Sequence, residues 1–189
     1  MRIMDKAKQL VIGLIMLAVF ESTAYAASKT LKSVYGYLEP ITILPTSQSV
    51  TAKLDTGAYS SSISATEINI YENDQDGGKK YVKFKLSHPS LDKSQEYNLP
   101  LTGTASIKNR AGENDNNYTE RPMVIIKACF NSDIYELETN LIDRTSFSTP
   151  VLIGRKGLVK LGAVVDPSKK NTISACTQAQ LDKANQHEK

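Results

Sequence analysis

The sequence predicts an all-β domain, closed as a barrel or sandwich, with one or two short helices. Three observations carry this. Short apolar segments recur at intervals of roughly 8–15 residues with turn residues between them. Several of them alternate apolar and polar with a period of two, and none sustains the longer period of an extended helix. With 189 residues, 40% of them hydrophobic and 23% charged, the chain has the material for one packed core and not the length for two ordinary domains.

The elements follow in order. Residues 34–37 open the fold and 40–45 continue it, apolar at Ile41 and Ile43. Residues 50–54 place Val50, Ala52 and Leu54 on one face and end at Asp55. A helical turn is expected at 64–67. Residues 68–71 and 81–86 alternate and are joined by Asn-Asp-Gln-Asp-Gly-Gly at 73–78, a hairpin signal. Residues 99–107 read as one strand and 123–130 as another, on either side of a very polar stretch at 108–117. Residues 134–142 follow the Asn131-Ser132-Asp133 turn, and 151–153 follow Pro150. A short helix is expected at 155–161, and 163–165 form the last strand before Asp166-Pro167. The domain spans roughly 31–175; the polar tail, 176–189, is expected to be frayed or weakly helical.

Residues 1–26 read as an address. Arg2, Lys6 and Lys8 precede an apolar run at 10–20, and Ala24-Tyr25-Ala26 supplies the small-x-small pattern of a signal-peptidase site. As a helix the run would rise about 17 Å, well short of a hydrocarbon core of ~30 Å. Cleavage after Ala26 is expected, giving a periplasmic or secreted protein with no membrane attachment. In such a compartment Cys129 and Cys176 have three arrangements open to them. An intrachain bridge would close a loop of about 47 residues and add on the order of 3–4 kcal/mol. Free thiols and an interchain bridge are the alternatives.

Several classes are excluded. Net charge is only +3 and the basic residues are scattered, so nucleic acid is not an expected partner. Two Cys and two His cannot build a Cys-rich zinc module. His187-Glu188 has no second His one turn away, and there is neither a phosphate-cradling G-x-x-x-x-G-K-[ST] loop nor a G-x-S-x-G elbow. His88 and His187 lie in polar contexts without a visible pairing, so a Cys–His nucleophile is not expected.

One segment carries chemistry. The strand at 50–54 delivers Asp55 onto a loop continuing Thr56-Gly57-Ala58. Gly57 is expected to let the backbone turn tightly and approach a ligand, Thr56 to lock the loop through its hydroxyl, and Ala58 to leave room beside the carboxylate. Alone, Asp-x-Gly fits a strand-ending turn equally well. The second segment is Leu152-Ile153-Gly154-Arg155, an apolar strand running into Gly-Arg and a short helix.

The pair resembles the retropepsin-like aspartic peptidases, whose D-T-G-[AS] loop and hydrophobic-hydrophobic-Gly-Arg segment pack together under the catalytic site. The order of 53–58, 81–84, 120–125, 141–144, 152–155 and 165–167 is similar to a bacterial family labelled ATP-dependent zinc proteases and associated with RimK-type ligases. The resemblance covers roughly 35–171. It implies a closed retropepsin-like barrel with Asp55 as the catalytic carboxylate. It also implies Thr56 bonding across a two-fold axis, Gly57 on substrate backbone, and Ala58, Gly154 and Arg155 supporting the site. Two positions depart from the pattern: Tyr59 stands where a basic residue is common, and Phe147 where Met is usual. The label and the residues also part company, since the sequence holds no nucleotide loop and no zinc triad; neither ATP, zinc nor any other cofactor is expected in catalysis.

Aspartic proteolysis needs two carboxylates about 3 Å apart sharing one proton, because both do not ionise readily at that distance. One D-T-G supplies one carboxylate, so the expected enzyme is a homodimer acting on a peptide or protein. A flap must cover the pair; by order along the chain it is the hairpin ending at 121–130, with its tip within 108–117 and a hinge at Ala111-Gly112. The rival reading is a non-catalytic β-barrel of the cell envelope that binds a peptide or envelope component.

Overall fold

The computed structural model describes residues 32–108 and 118–186. Eleven strands dominate them: β1 (Ser33–Gly36), β2 (Leu38–Ile43), β3 (Gln48–Leu54), β4 (Ser61–Asn73), β5 (Lys79–Leu86), β6 (Gln95–Pro100), β7 (Gly103–Lys108), β8 (Tyr118–Phe130), β9 (Asp133–Ile142), β10 (Val151–Ile153) and β11 (Ala163–Asp166). Two helices complete the set, α1 (Arg155–Lys160) and α2 (Gln178–Gln186). The all-β expectation holds.

The strand pairings form a closed ring. β2 pairs antiparallel with β3, β3 parallel with β10, β10 antiparallel with β4, β4 parallel with β9, β9 antiparallel with β8, and β8 antiparallel with β2. β5 and β6 extend the sheet from β4, and β7 extends it from β8. A closed ring leaves no free edge among its members. Its interior is the apolar core, with Ile41, Ile43, Ala52, Leu54, Ile63, Phe84, Val124, Phe130, Leu141 and Ile153 all at 2% exposure or less. Fully burying one such aliphatic or aromatic side chain stabilises the fold by roughly 1.5–3 kcal/mol.

The ends of the domain are tied by a buried carboxylate. β1 and β11 form a separate parallel pair, and the chain after β11 returns over Gly36, where a Cβ would lie 2.5 Å from the Lys169 carbonyl oxygen. Glu39, fully buried on β2, accepts hydrogen bonds from the Gly36, Thr172 and Ile173 amides and from the Thr172 hydroxyl. Four donors satisfy a group that would otherwise be costly to desolvate.

Two sequence expectations need correction. Residues 64–67 are not helical but lie within β4. There the Ser64 amide donates to the Pro150 carbonyl and the Ser64 hydroxyl to that of Ser87, while a register shift between Thr66 and Asn69, with Glu67 at φ 52°, makes a β-bulge. Tertiary pairing with β9 and β10 overrides the local sequence. The segment 99–107 is two strands: the chain leaves β5 after Pro100 and turns through Gly103, at φ 158°, to pair with β8. Of the tail, Gln178–Gln186 form α2, the helical one of the two expected alternatives, and its Leu181 is buried with Leu44 and Cys129 beside Cys176. The two sulfurs are bonded, which anchors the start of the tail to β8. The 73–78 hairpin is closed by a single 3-10 turn over Asp74–Asp76, with Gly77 and Gly78 at φ 64° and 75°. The segment 1–26, Ala111, Gly112 and His187 lie outside the described residues.

Candidate active site

Asp55 follows β3 directly, and its position is set by the ring. β10 lies parallel to β3 in the register Val151–Ala52, Leu152–Lys53 and Ile153–Leu54. The Asp55 amide donates to the Ile153 carbonyl at 2.9 Å. The two motifs therefore touch through backbone. Beyond them the Arg155 amide donates to the Ala58 carbonyl at 2.9 Å and the Lys156 amide to that of Tyr59 at 3.2 Å, so the first turn of α1 holds the Asp55 loop. Gly154 is required by proximity: a Cβ there would sit 2.5 Å from the Ser60 carbonyl oxygen. The Arg155 guanidinium is exposed and lies 5.7 Å from the Tyr59 ring centroid.

The Asp55 carboxylate is only 23% exposed and both its oxygens are engaged. Oδ1 accepts from the Gly57 amide at 2.9 Å and the Ala58 amide at 3.3 Å; Oδ2 lies 2.9 Å from the Lys53 ammonium. Burial pushes the Asp55 pKa up, but Lys53 and the two amides outweigh it, and the net position is below the ordinary 3.8. The backbone turns at Thr56–Gly57 as expected, and Gly57's smallness matters because a Cβ would come within 3.2 Å of Asp55 Oδ1. One expectation about the loop needs correction. Thr56 is exposed, and its hydroxyl makes none of the hydrogen bonds that hold the loop in the single chain.

A run of serines, unassigned in the sequence reading, wires the loop to the rest of the ring. Asn140 on β9 donates to the Ser60 hydroxyl at 3.2 Å and the Ser61 carbonyl at 2.6 Å, and the Gly154 amide donates to the Ser61 hydroxyl at 3.3 Å. Arg144, also unassigned, is 5% exposed. Its Nε donates to the Thr149 carbonyl at 3.1 Å, its Nη1 to the Ser62 hydroxyl at 3.0 Å, and its guanidinium carbon stands 4.6 Å from the Phe147 ring centroid. Burial pulls the Arg144 pKa down to about 10, Arg121 pushes the same way, and the Asp55 charge opposes both; the group stays charged at neutral pH. Ser60 precedes β4 and Ser61 and Ser62 open its buried first half, and that polar run before Ile63 was the available signal.

Beside the loop lies a cleft of about 480 Å³, bordered by Ala58, Tyr59, Arg121, Arg144 and Phe147, with Ile107 and Lys108 of β7 along its other side. Asp55 is not among its lining residues, and among the described residues the lining contains no acidic side chain. β7 and β8 pair antiparallel from Gly103–Met123 to Lys108–Tyr118. The expected flap is therefore a hairpin whose arms border the cleft; the expected tip, apart from Lys108, lies outside the described residues. His88 is buried and its partners are Ser90 and Phe147: Nδ1 accepts from the Ser90 amide at 3.1 Å and Nε2 lies 3.0 Å from the Phe147 carbonyl, so the ring braces the segment that carries Phe147. Among the described residues no three His, Cys, Asp or Glu side chains are grouped as a metal site, and no helix is long and apolar enough to cross a membrane.

Residues 34–175 match the RimB-like family model, described as the retropepsin-like aspartic endopeptidase RimB. The chain is also similar to a protein named probable alpha-L-glutamate ligase from Desulfotalea psychrophila, 23% identical over 137 residues that cover 71% of this chain. The chain spans only 28% of that relative. Among solved structures it is similar to the crystal structure of a protein of unknown function from Legionella pneumophila subsp. pneumophila str. Philadelphia 1. The TM-score is 0.63 at 27% identity, covering 75% of this chain and 98% of that one.

Proposed function

The chain belongs to the RimB-like family of retropepsin-like aspartic endopeptidases, and on that premise we propose that it is exported and hydrolyses peptide bonds as a homodimer. The observation that carries the reading is the place of Asp55, fixed by the Ile153 and Gly57 hydrogen bonds beside an open cleft. Across a two-fold axis Asp55 meets the partner subunit's Asp55, and the two carboxylates share one proton. The ionised member takes a proton from water as the oxygen attacks the scissile carbonyl carbon. The protonated member donates to the carbonyl oxygen. Collapse of the tetrahedral intermediate breaks the C–N bond, and the proton taken from water passes to the leaving amine. Thr56 bonds across the axis, Gly57 meets substrate backbone, the β7–β8 hairpin closes over the site, and Ala58, Gly154 and Arg155 hold the loop.

The cleft favours an acidic substrate side chain near the scissile bond. Among the described residues Arg121, Arg144 and Lys108 border it and no carboxylate does, an arrangement suited to accepting a carboxylate. The Desulfotalea relative is by name a ligase of glutamate, the same side-chain class.

The test is a mixing experiment on the exported protein, whose first residue should be Ala27 by mass spectrometry. Asp55→Asn should keep the fold and the dimer in sedimentation while abolishing cleavage of a Glu-containing peptide. Titrating Asp55→Asn chains into wild type should remove activity in proportion to heterodimer. A protein that stays monomeric with a substrate analogue at high concentration, yet cleaves, overturns the two-fold site. A folded monomer that cleaves nothing favours the binding-module reading instead.

A further inference from the structure

We propose that Lys53 is a positioning residue of this site: the counter-ion that orients Asp55 and sets the pH range over which the Asp55 pair holds one proton. β3 runs straight into the Asp55 loop, and the period of a strand puts residues 53 and 55 on the same face. Lys53 Nζ comes to 2.9 Å from Asp55 Oδ2, while Oδ1 is held by the Gly57 and Ala58 amides. The carboxylate is thus held from both sides, which fixes its rotation as well as its charge. Among the described residues Lys53 has one carboxylate partner, Asp55. Its backbone lies between Leu38 on β2 and Leu152 on β10, neither of which offers it a charge.

The other charges that bear on Asp55 are few. Arg144, from the segment between β9 and β10, interacts with it through charge, and Arg121 of β8 interacts through charge with Arg144. Both are arginines and stay charged over any working pH. In the dimer the partner subunit's Asp55 adds a negative charge. The partner's Lys53 adds a positive one. Two ammonium groups then stand beside two carboxylates.

The sign follows from that arrangement. An ammonium stabilises the ionised carboxylate, so both macroscopic pKa values of the pair lie lower with Lys53 than without it. The pair gains its ionised member, and loses its shared proton, at lower pH. Removing Lys53 moves both limbs of the activity profile to higher pH. With an ion pair this exposed, the displacement should be roughly one pH unit rather than several.

The inference rests on the peptidase reading for its consequence but not for its test. On full-length exported protein, the Asp55 side-chain carboxyl is followed by 13C NMR against pH in wild type, Lys53→Met and Lys53→Arg. The Met variant should titrate roughly one pH unit higher, and the Arg variant should remain within a few tenths of wild type. Lys53→Gln gives the same reading should the Met variant fail to fold. In parallel, both limbs of kcat/KM against pH should move upward together in the Met variant and be restored by Arg. An unchanged Asp55 midpoint in a folded Met or Gln variant overturns the assignment whatever the activity. A wild-type protein that cleaves nothing overturns the peptidase reading while leaving the NMR result to decide the role of Lys53.

Discussion

Gly154→Ala is the sharpest test of how the site is held. The added Cβ would lie 2.5 Å from the Ser60 carbonyl oxygen, 2.7 Å from the Ser60 carbonyl carbon and 3.0 Å from that of Tyr59. Ordinary contact begins at 3.4 Å, so the two backbones must part by about 0.9 Å, the distance a methyl forces between packed chains. No flexible side chain is available to give way. The displaced segment is the one that the Arg155 and Lys156 amides hold through Ala58 and Tyr59, and Asp55 sits three residues before it. Overpacking of this kind costs about 1–3 kcal/mol, which for a chain of this length lowers Tm by roughly 3–10 °C. A misplacement near 1 Å at a reacting group costs up to about 10²-fold in rate.

Thermal unfolding and peptide cleavage by Gly154→Ala therefore fall together. Gly77→Ala is the control. Gly77 lies at φ 64° with nothing within 4 Å of a Cβ, so alanine there costs about 1–2 kcal/mol of backbone strain and leaves kcat/KM unchanged. If Gly154→Ala matched wild type in both measurements, or lost stability but no activity as Gly77→Ala does, the claim that α1 positions the Asp55 loop through this contact would be wrong.

Two further outcomes are expected. Glu39→Ala leaves the Thr172 and Ile173 amides and the Thr172 hydroxyl without their acceptor and the Gly36 amide with only the Thr172 hydroxyl at 3.4 Å; at about 1–3 kcal/mol for a fully buried group, and less where water reaches in, the loss should total roughly 3–5 kcal/mol in urea unfolding. A loss below about 1 kcal/mol would mean the 172–173 segment is held by other contacts. Cleavage should survive EDTA and apyrase and fall with a statine-type inhibitor; activity lost on chelation and restored by zinc would overturn the aspartic reading.

What the sequence made legible was whatever shows as local alternation or as a short motif. β3 could be read because Val50, Ala52 and Leu54 alternate and are indeed buried, and the two motifs could be paired because the family pairs them. The first half of β4 could not. Ser61, Ser62 and Ser64 are poor strand formers by propensity, and they are extended because β9 and β10 pair with them from distant parts of the chain. β6 is polar at Gln95, Glu96 and Asn98 and shows its inward face at Tyr97 and Leu99, the residue at which the sequence expectation began the strand. α2 carries little apolar surface, and its docking depends on Leu181 together with the Cys129–Cys176 bond. Arg144 was legible only as the end of the 141–144 motif, since the role of a buried guanidinium satisfied by a carbonyl and a hydroxyl has no sequence pattern of its own. Lys53 was legible and passed over: the same alternation that placed Leu54 inward puts Lys53 beside Asp55.

That pairing bears on how a single D-T-G would serve in the proposed dimer. Two ionised carboxylates about 3 Å apart repel by about 5–6 kcal/mol at an effective dielectric of about 20, an energy comparable to the whole stability of a modest domain. A shared proton removes most of it, but only where the pair is protonated. Lys53 at 2.9 Å from Asp55 brings one compensating charge per subunit, independent of that proton. In the proposed dimer the pair can therefore form above the pH at which the proton leaves. Assembly and catalysis then separate along the pH axis: above the upper limb of the activity profile the wild-type dimer should persist in sedimentation while inactive. In Lys53→Met it should dissociate as the shared proton is lost. A wild-type dimer that falls apart at the same pH at which it loses activity would mean that the proton, and not Lys53, holds the two carboxylates together.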